Sequence, residues 1–146
     1  PGEIVDLMVV NSTTLAAHPE LGKALTGAWF ETQRLMGQTS PEGQAARAKM
    51  AAAAGTTAED FDEQLRTLRS FYSPRPALAF ASSENMPQLM QRVVDFANGQ
   101  KLLGEDGNGL SRLGISFGDS LVMGNSKQIK LRFDPTYLQL ATDQQL

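Results

Sequence analysis

Cysteine is absent from all 146 residues, which removes disulfides, thiolate nucleophiles and cysteine-based zinc sites in one step. Histidine occurs once, at His18, and one imidazole without H-E-x-x-H spacing cannot make a metal site alone. No charge of one sign dominates either. Lys and Arg number 13 against 16 Asp and Glu, a net charge of -3, and the basic residues are scattered among acidic ones, so there is no electrostatic footprint for a phosphate backbone. Nucleic acid is not an expected partner. No window reaches the roughly 18 consecutive apolar residues of a membrane span, and no charged-then-apolar leader ends in a small-residue cleavage site. The chain as given is expected to be soluble.

What is present is a hydrophobic fraction of 41%, enough for one compact domain with a core and too little chain for two ordinary ones. Ile4 to Val10 is apolar except at Asp6 and rich in β-branched residues, which predicts a strand buried on both faces. A chain that begins only three positions before a buried strand reads as cut from a longer parent. Pro19 at a first helical position and Glu20 in the first turn open a helix that ends at Gly37. Leu21, Leu25, Ala28, Thr32, Leu35 and Met36 form its stripe, and Trp29 and Phe30 widen the buried face. Ser40-Pro41-Glu42 opens a second helix running to Gly55. Thr57, with Asp60 three residues on, starts a third that carries Phe61, Leu65 and Leu68. Spacers this short predict a helical layer in the middle third.

Tyr72 to Ser83 reads as either a short strand or an extended crossover. Met86, Leu89, Met90, Val93, Val94 and Ala97 recur at helical spacing and predict a long helix over about Glu84 to Leu103, a core helix rather than a methionine-lined ligand box. Further on, Ile129, Leu131 and Phe133 alternate with Gln128, Lys130 and Arg132, the two-residue period of a half-buried strand, after a turn at Gly124-Asn125. Asp134-Pro135 caps a final short helix that turns Tyr137, Leu138 and Ala141 inward. The expected class is α/β with helix dominating.

The sharpest chemical pattern is Gly114-Ile115-Ser116-Phe117-Gly118, which satisfies G-x-S-x-G. A nucleophile elbow needs a strand entering, a helix leaving, and a histidine after the serine. Here "DSLVMGNSKQ" follows, which is not a helical sequence, and His18 precedes Ser116. The pattern therefore lacks its context. "GEDGNG" gathers Glu105, Asp106 and Asn108 but lacks the fixed offsets of a calcium loop and reads as a turn. Lys130 and Arg132 could receive an anion, though a solvated face accounts for them. Asp6 is more pointed, because a carboxylate within a buried run must be paired inside the protein or offered to a ligand.

"PGEIVDLMVVNSTTLAAHPELGKALTGAWFE", the alanine-rich helix and the closing "GNSKQIKLRFDPTYLQLA" together resemble the carboxy-terminal half of substrate-binding proteins of the nitrate, sulfonate and taurine class of ABC transporters. Within that class the chain is most similar to the urea-transporter subgroup. The spacing Asn11, Leu15, His18, Pro19, Glu20 is typical of the wider class, while "PGEI" and "KLRFD" point to the subgroup. The resemblance covers essentially all of residues 1–146, as one fragment that contributes to both lobes of a two-lobed, type II periplasmic binding protein.

It implies a periplasmic or extracellular solute-binding component, with no enzymatic step, no cofactor and no metal. The implied solute is a small nitrogen-containing molecule such as urea or a guanidine, or a nitrate, sulfonate or taurine, and the implied protein partner is the transporter's membrane permease. It also implies Glu3, Asp6 and Asn11 as ligand-binding candidates near the cleft, since carboxylates accept hydrogen bonds from amide or guanidinium donors. Exposed interlobe and sheet surfaces would favour self-association of such a half-protein. Two other classes stand beside this reading: a serine hydrolase using Gly114–Gly118, and a helical interaction domain.

Overall fold

The structure, a computed structural model, describes residues 5–104, 108–118 and 121–146. The described residues form α1 (Ser12–Ala17), α2 (Pro19–Met36), α3 (Pro41–Ala53), α4 (Ala58–Thr67), α5 (Pro74–Ala81), α6 (Asn85–Gly99), α7 (Gly109–Arg112), β1 (Gly114–Phe117), β2 (Leu121–Gly124), β3 (Ile129–Phe133) and α8 (Thr136–Thr142). The mixed α/β class, dominated by helix, is as the sequence led us to expect. The chain divides into two compact units, each drawn from two stretches. One takes residues up to Thr14 and Leu78–Thr136, the other Leu15–Ala77 and Tyr137–Leu146.

In the helical unit α2 packs on α3 and α3 on α4, the layer that the short spacers imply. Ser40 and Thr57 act as N-caps: their hydroxyls accept from the amides of Gly43 at 3.2 Å and Asp60 at 3.1 Å, which satisfies donors that a helix start leaves unpaired. The buried face of α2 differs from expectation. Gly22, Thr26 and Phe30 are its buried residues, at i, i+4 and i+8, while Ala28 and Thr32 are exposed and Trp29 is 41% exposed. The face is shifted because Gly22 meets the Tyr137 ring at the start of α8, in space that a Cβ would occupy. Lys23 Nζ also donates to the Gln145 carbonyl at 3.1 Å.

Arg47, only 15% exposed in its side chain, ties this unit together. Its Nε donates to Asp62 Oδ1 of α4 at 2.7 Å, and its Nη1 donates to the carbonyls of Met36 at 3.1 Å and Gln38 at 2.6 Å. A guanidinium thus satisfies the negative C-terminal end of α2 and pairs with a carboxylate.

In the other unit, Met86, Leu89, Met90 and Val94 line the buried face of α6 and cluster with Ile115 of β1. The expected core helix is there. The sheet order is β2-β1-β3, with β1 antiparallel to β2 and parallel to β3. Phe117 and Phe133 stand opposite each other with stacked rings, centroids 5.2 Å apart. The alternation of β3 is as expected: Ile129, Leu131 and Phe133 are half-buried, Lys130 and Arg132 exposed. At the end of the strand Asp134 Oδ1 accepts from the Thr136 amide at 2.9 Å, the expected cap of the last helix.

Two further expectations fail. Residues 5–10 form no strand, and Asp6, Leu7, Met8 and Val9 are exposed. A run buried on both faces needs strands on both sides and layers above and below, and the described three-stranded sheet offers it no such place. Tyr72 to Ser83 is neither strand nor crossover but carries α5. Pro74 and Pro76 both fall in its first turn, where the missing amide hydrogens have no intrahelical acceptor to lose.

Replacing Gly22 by Val is expected to cost about 1–3 kcal/mol through collision with Tyr137, read as a lowered Tm, and adding Tyr137→Ala should recover part of the loss. Arg47→Met should destabilise by about 2 kcal/mol in chemical denaturation. Arg47→Lys, which keeps the charge but not the planar fork, should restore only a fraction. An unchanged midpoint for Arg47→Met would show that the guanidinium is dispensable.

Candidate functional site

The candidates implied by the sequence fare differently. Glu3 lies outside the described residues, as do Glu105 and Asp106. Asp6 is exposed on a segment outside any helix or strand and takes part in no hydrogen bond or ion pair among the described residues. The expectation of a buried carboxylate is thereby corrected: once the run leaves the sheet, solvent supplies the hydration that an interior position would have removed. Asn11 has a local task. Its Oδ1 accepts from the amides of Thr13 at 3.0 Å and Thr14 at 3.1 Å, capping α1, a helix that the polar run Asn11-Ser12-Thr13-Thr14 could have signalled.

His18 precedes Pro19 at the entrance of α2, with Nδ1 3.2 Å from Glu20 Oε1 and both side chains solvated. Among the described residues no group of three or more His, Asp or Glu side chains converges into a metal-binding cluster. Beside Arg34, the Glu31 carboxyl is held below its ordinary value, first by the side-chain hydrogen bond and then by the guanidinium charge. Their contacts are 2.7 and 3.0 Å long. This is a solvated bridge along the α2 surface, a kind of pair that contributes little.

The G-x-S-x-G pattern has a structural explanation. Ser116 lies within β1, buried, opposite Val122 and Arg132, rather than at the tip of a strand-to-helix turn. The chain leaving β1 turns back into antiparallel β2, with Gly118 at φ +60, a conformation that disfavours side chains. Gly114 serves a close approach. The segment joining β2 to β3 passes the start of β1, where the Asn125 carbonyl would strike a Cβ on Gly114. The Gly114 amide donates to the Gln128 carbonyl at 2.8 Å and the Asn125 amide to the Leu113 carbonyl at 3.0 Å. Both glycines are therefore required by strand topology, and neither aims the serine hydroxyl at a substrate.

A shallow hollow along α4 is lined by Thr56, Asp60, Glu63, Gln64 and Thr67. Its carboxylates are already engaged: Asp60 accepts from the Thr57 hydroxyl at 2.7 Å and Glu63 from Arg66 at 2.6 Å. It is a solvated helix face. Gln33 Oε1 is buried without a hydrogen-bond partner among the described residues, one amide oxygen that frames no ligand site. Among the described residues no helix is long and apolar enough to cross a membrane.

No protein-family model, curated protein or solved structure matches the chain. The site must be judged on its own chemistry: an exposed carboxylate at Asp6, a short helix capped by Asn11, and two exposed cations at Lys130 and Arg132. A fluorophosphonate probe specific for activated serines is expected to leave Ser116 unmodified in intact-mass measurements, and labelling there would reinstate a nucleophile.

Proposed function

We propose that this chain is the carboxy-terminal half of a solute-binding protein that delivers a small nitrogen-containing molecule to the membrane permease of an ABC importer. The class comes from the sequence resemblance of the opening "PGEIVDLMVVNSTTLAAHPE" and closing "KLRFDPTYLQLA" passages. The observation in the fold that carries it is the division into two units, each assembled from two separated stretches of chain. A two-lobed type II binding protein, with a chain that passes repeatedly between lobes, calls for such discontinuity. Periplasmic or extracellular placement follows from the same class.

The role involves no bond-making step. A binding protein works by shifting its conformational population toward the form that the ligand prefers. Asp6 is the group in this chain best suited to a nitrogenous solute. Its carboxylate is exposed and uncommitted among the described residues, and an ionised carboxylate accepts strong hydrogen bonds from urea amides and adds charge pairing with a guanidinium. Asn11 contributes by fixing the chain direction immediately after this segment.

Thermal melts of the chain with low concentrations of urea, guanidinium, nitrate and taurine, compared for wild type and Asp6→Asn, test the reading. One member of the panel should raise the Tm saturably, by the equivalent of about 2.7 kcal/mol at a hundredfold excess over Kd. If that member is urea or guanidinium, Asp6→Asn should remove most of the effect. A flat response to the whole panel overturns the reading.

A further inference from the structure

Among the charged groups of the sheet-bearing unit with no opposite charge among the described residues are Asp6, on the segment before α1, and Lys130 and Arg132 on β3. Arg132 does no more than reach back to the Ile129 carbonyl, 3.5 Å away. β3 is an edge of the described sheet, and an unpaired edge is a template for another strand. Residues 5–10 have the composition of a strand yet belong to no strand, and between the half-buried Val5 and Val10 the chain is exposed, with Leu7 at 44%, Met8 at 45% and Val9 at 70%. One chain thus carries both a strand without a sheet and a sheet edge without a strand.

We propose that the Val5–Val10 segment of one copy adds as a fourth strand to the β3 edge of a second copy, with the exchange reciprocated to close a two-fold dimer. The side-chain alternation fits. Val5, Leu7 and Val9 would fall on one face, continuing the row of Ile129, Leu131 and Phe133, of which Leu131 and Phe133 pack on the apolar cluster under α6. Val5 already packs against that cluster in its own chain, so this face of the segment matches the surface that an identical partner presents. Asp6 would fall on the opposite face, beside Lys130 and Arg132. The arrangement buries exposed apolar side chains, supplies β3 with backbone partners and pairs the three charges, all with one displacement. A one-residue slip would put Asp6 on the apolar face, so the register is specified.

Sedimentation velocity of the full 146-residue chain across a concentration series tests this directly. A monomer–dimer equilibrium is expected. Asp6→Lys should weaken it by about tenfold or more, since the repulsive pair occurs twice per dimer, and combining it with Lys130→Glu and Arg132→Glu should restore dimerisation. Met8→Pro, which fixes φ and takes an amide from the middle of the added strand, should weaken it strongly. Circular dichroism of each variant, expected to retain wild-type helix content because the segment is unpaired within its own chain, separates lost association from lost folding. A chain that stays monomeric at every concentration overturns the proposal, as does a dimer insensitive to both Asp6→Lys and Met8→Pro. Both this proposal and the solute reading draw on Asp6, but Lys130→Glu with Arg132→Glu and Met8→Pro leave that carboxylate in place and act on dimerisation alone, so the failure of one reading is distinguishable from the failure of the other.

Discussion

Met86, Leu89, Met90 and Val94 project from one side of α6 and close over Ile115 of β1, and the sheet exists because of that contact. Three short strands with one covered face lie near the lower limit of what is stable in water. Burying four large apolar side chains of a helix on the central strand supplies on the order of 1.5–3 kcal/mol for each. The same contact determines what the sheet can do without. Its centre is covered and paired, while β2 and β3 remain as edges. The glycines at 114 and 118 follow from this geometry: one lets the β2–β3 connection pass close to the start of the central strand, and the other turns the chain back toward β2.

The helical unit is built by α2 against α3 and α3 against α4, with the Tyr137 ring of α8 seated at Gly22. Gly22 lets the Tyr137 ring approach the α2 backbone, so part of the packing there is backbone to ring rather than leucine to leucine. Small residues bury little area, and polar bonds supply some of the remaining order. Arg47 joins two carbonyls at and beyond the end of α2 to a carboxylate of α4, satisfying groups that would otherwise be left at a crowded helix end.

Helices with punctuation at their ends could be read from the sequence. Pro19, Ser40-Pro41 and Thr57 marked three starts correctly, and the methionine-rich stripe of α6 marked the core. The alternation from Ile129 to Phe133 gave β3. The missed features depend on partners distant in sequence. Val5–Val10 has the composition of a buried strand, but a strand is defined by what lies beside it, and composition carries no information about that. The shift of the α2 face required knowing that Tyr137 arrives at Gly22. Arg47 was legible only as one of two cations, with Lys49, in an alanine-rich helix, since its acceptors are two backbone carbonyls and a carboxylate of the next helix that no local side-chain pattern reveals. Asp6 was singled out for being buried; it keeps its interest because it is exposed and uncommitted. β1 was hidden inside G-x-S-x-G, where glycines that serve strand topology look the same as glycines that serve a nucleophile.

The solute-binding reading uses the exposed Asp6 and the strand-exchange proposal the whole of Val5–Val10, so both depend on that segment being left unpaired within its own chain. Amide hydrogen exchange tests that premise most directly. At high dilution the amides of residues 5–10 should exchange rapidly while those of α6 and β1 are protected, and raising the concentration should slow exchange at residues 5–10 and along β3. Protection of residues 5–10 equal to that of β1 at high dilution would mean that the segment is already paired within its own chain, and would contradict this account.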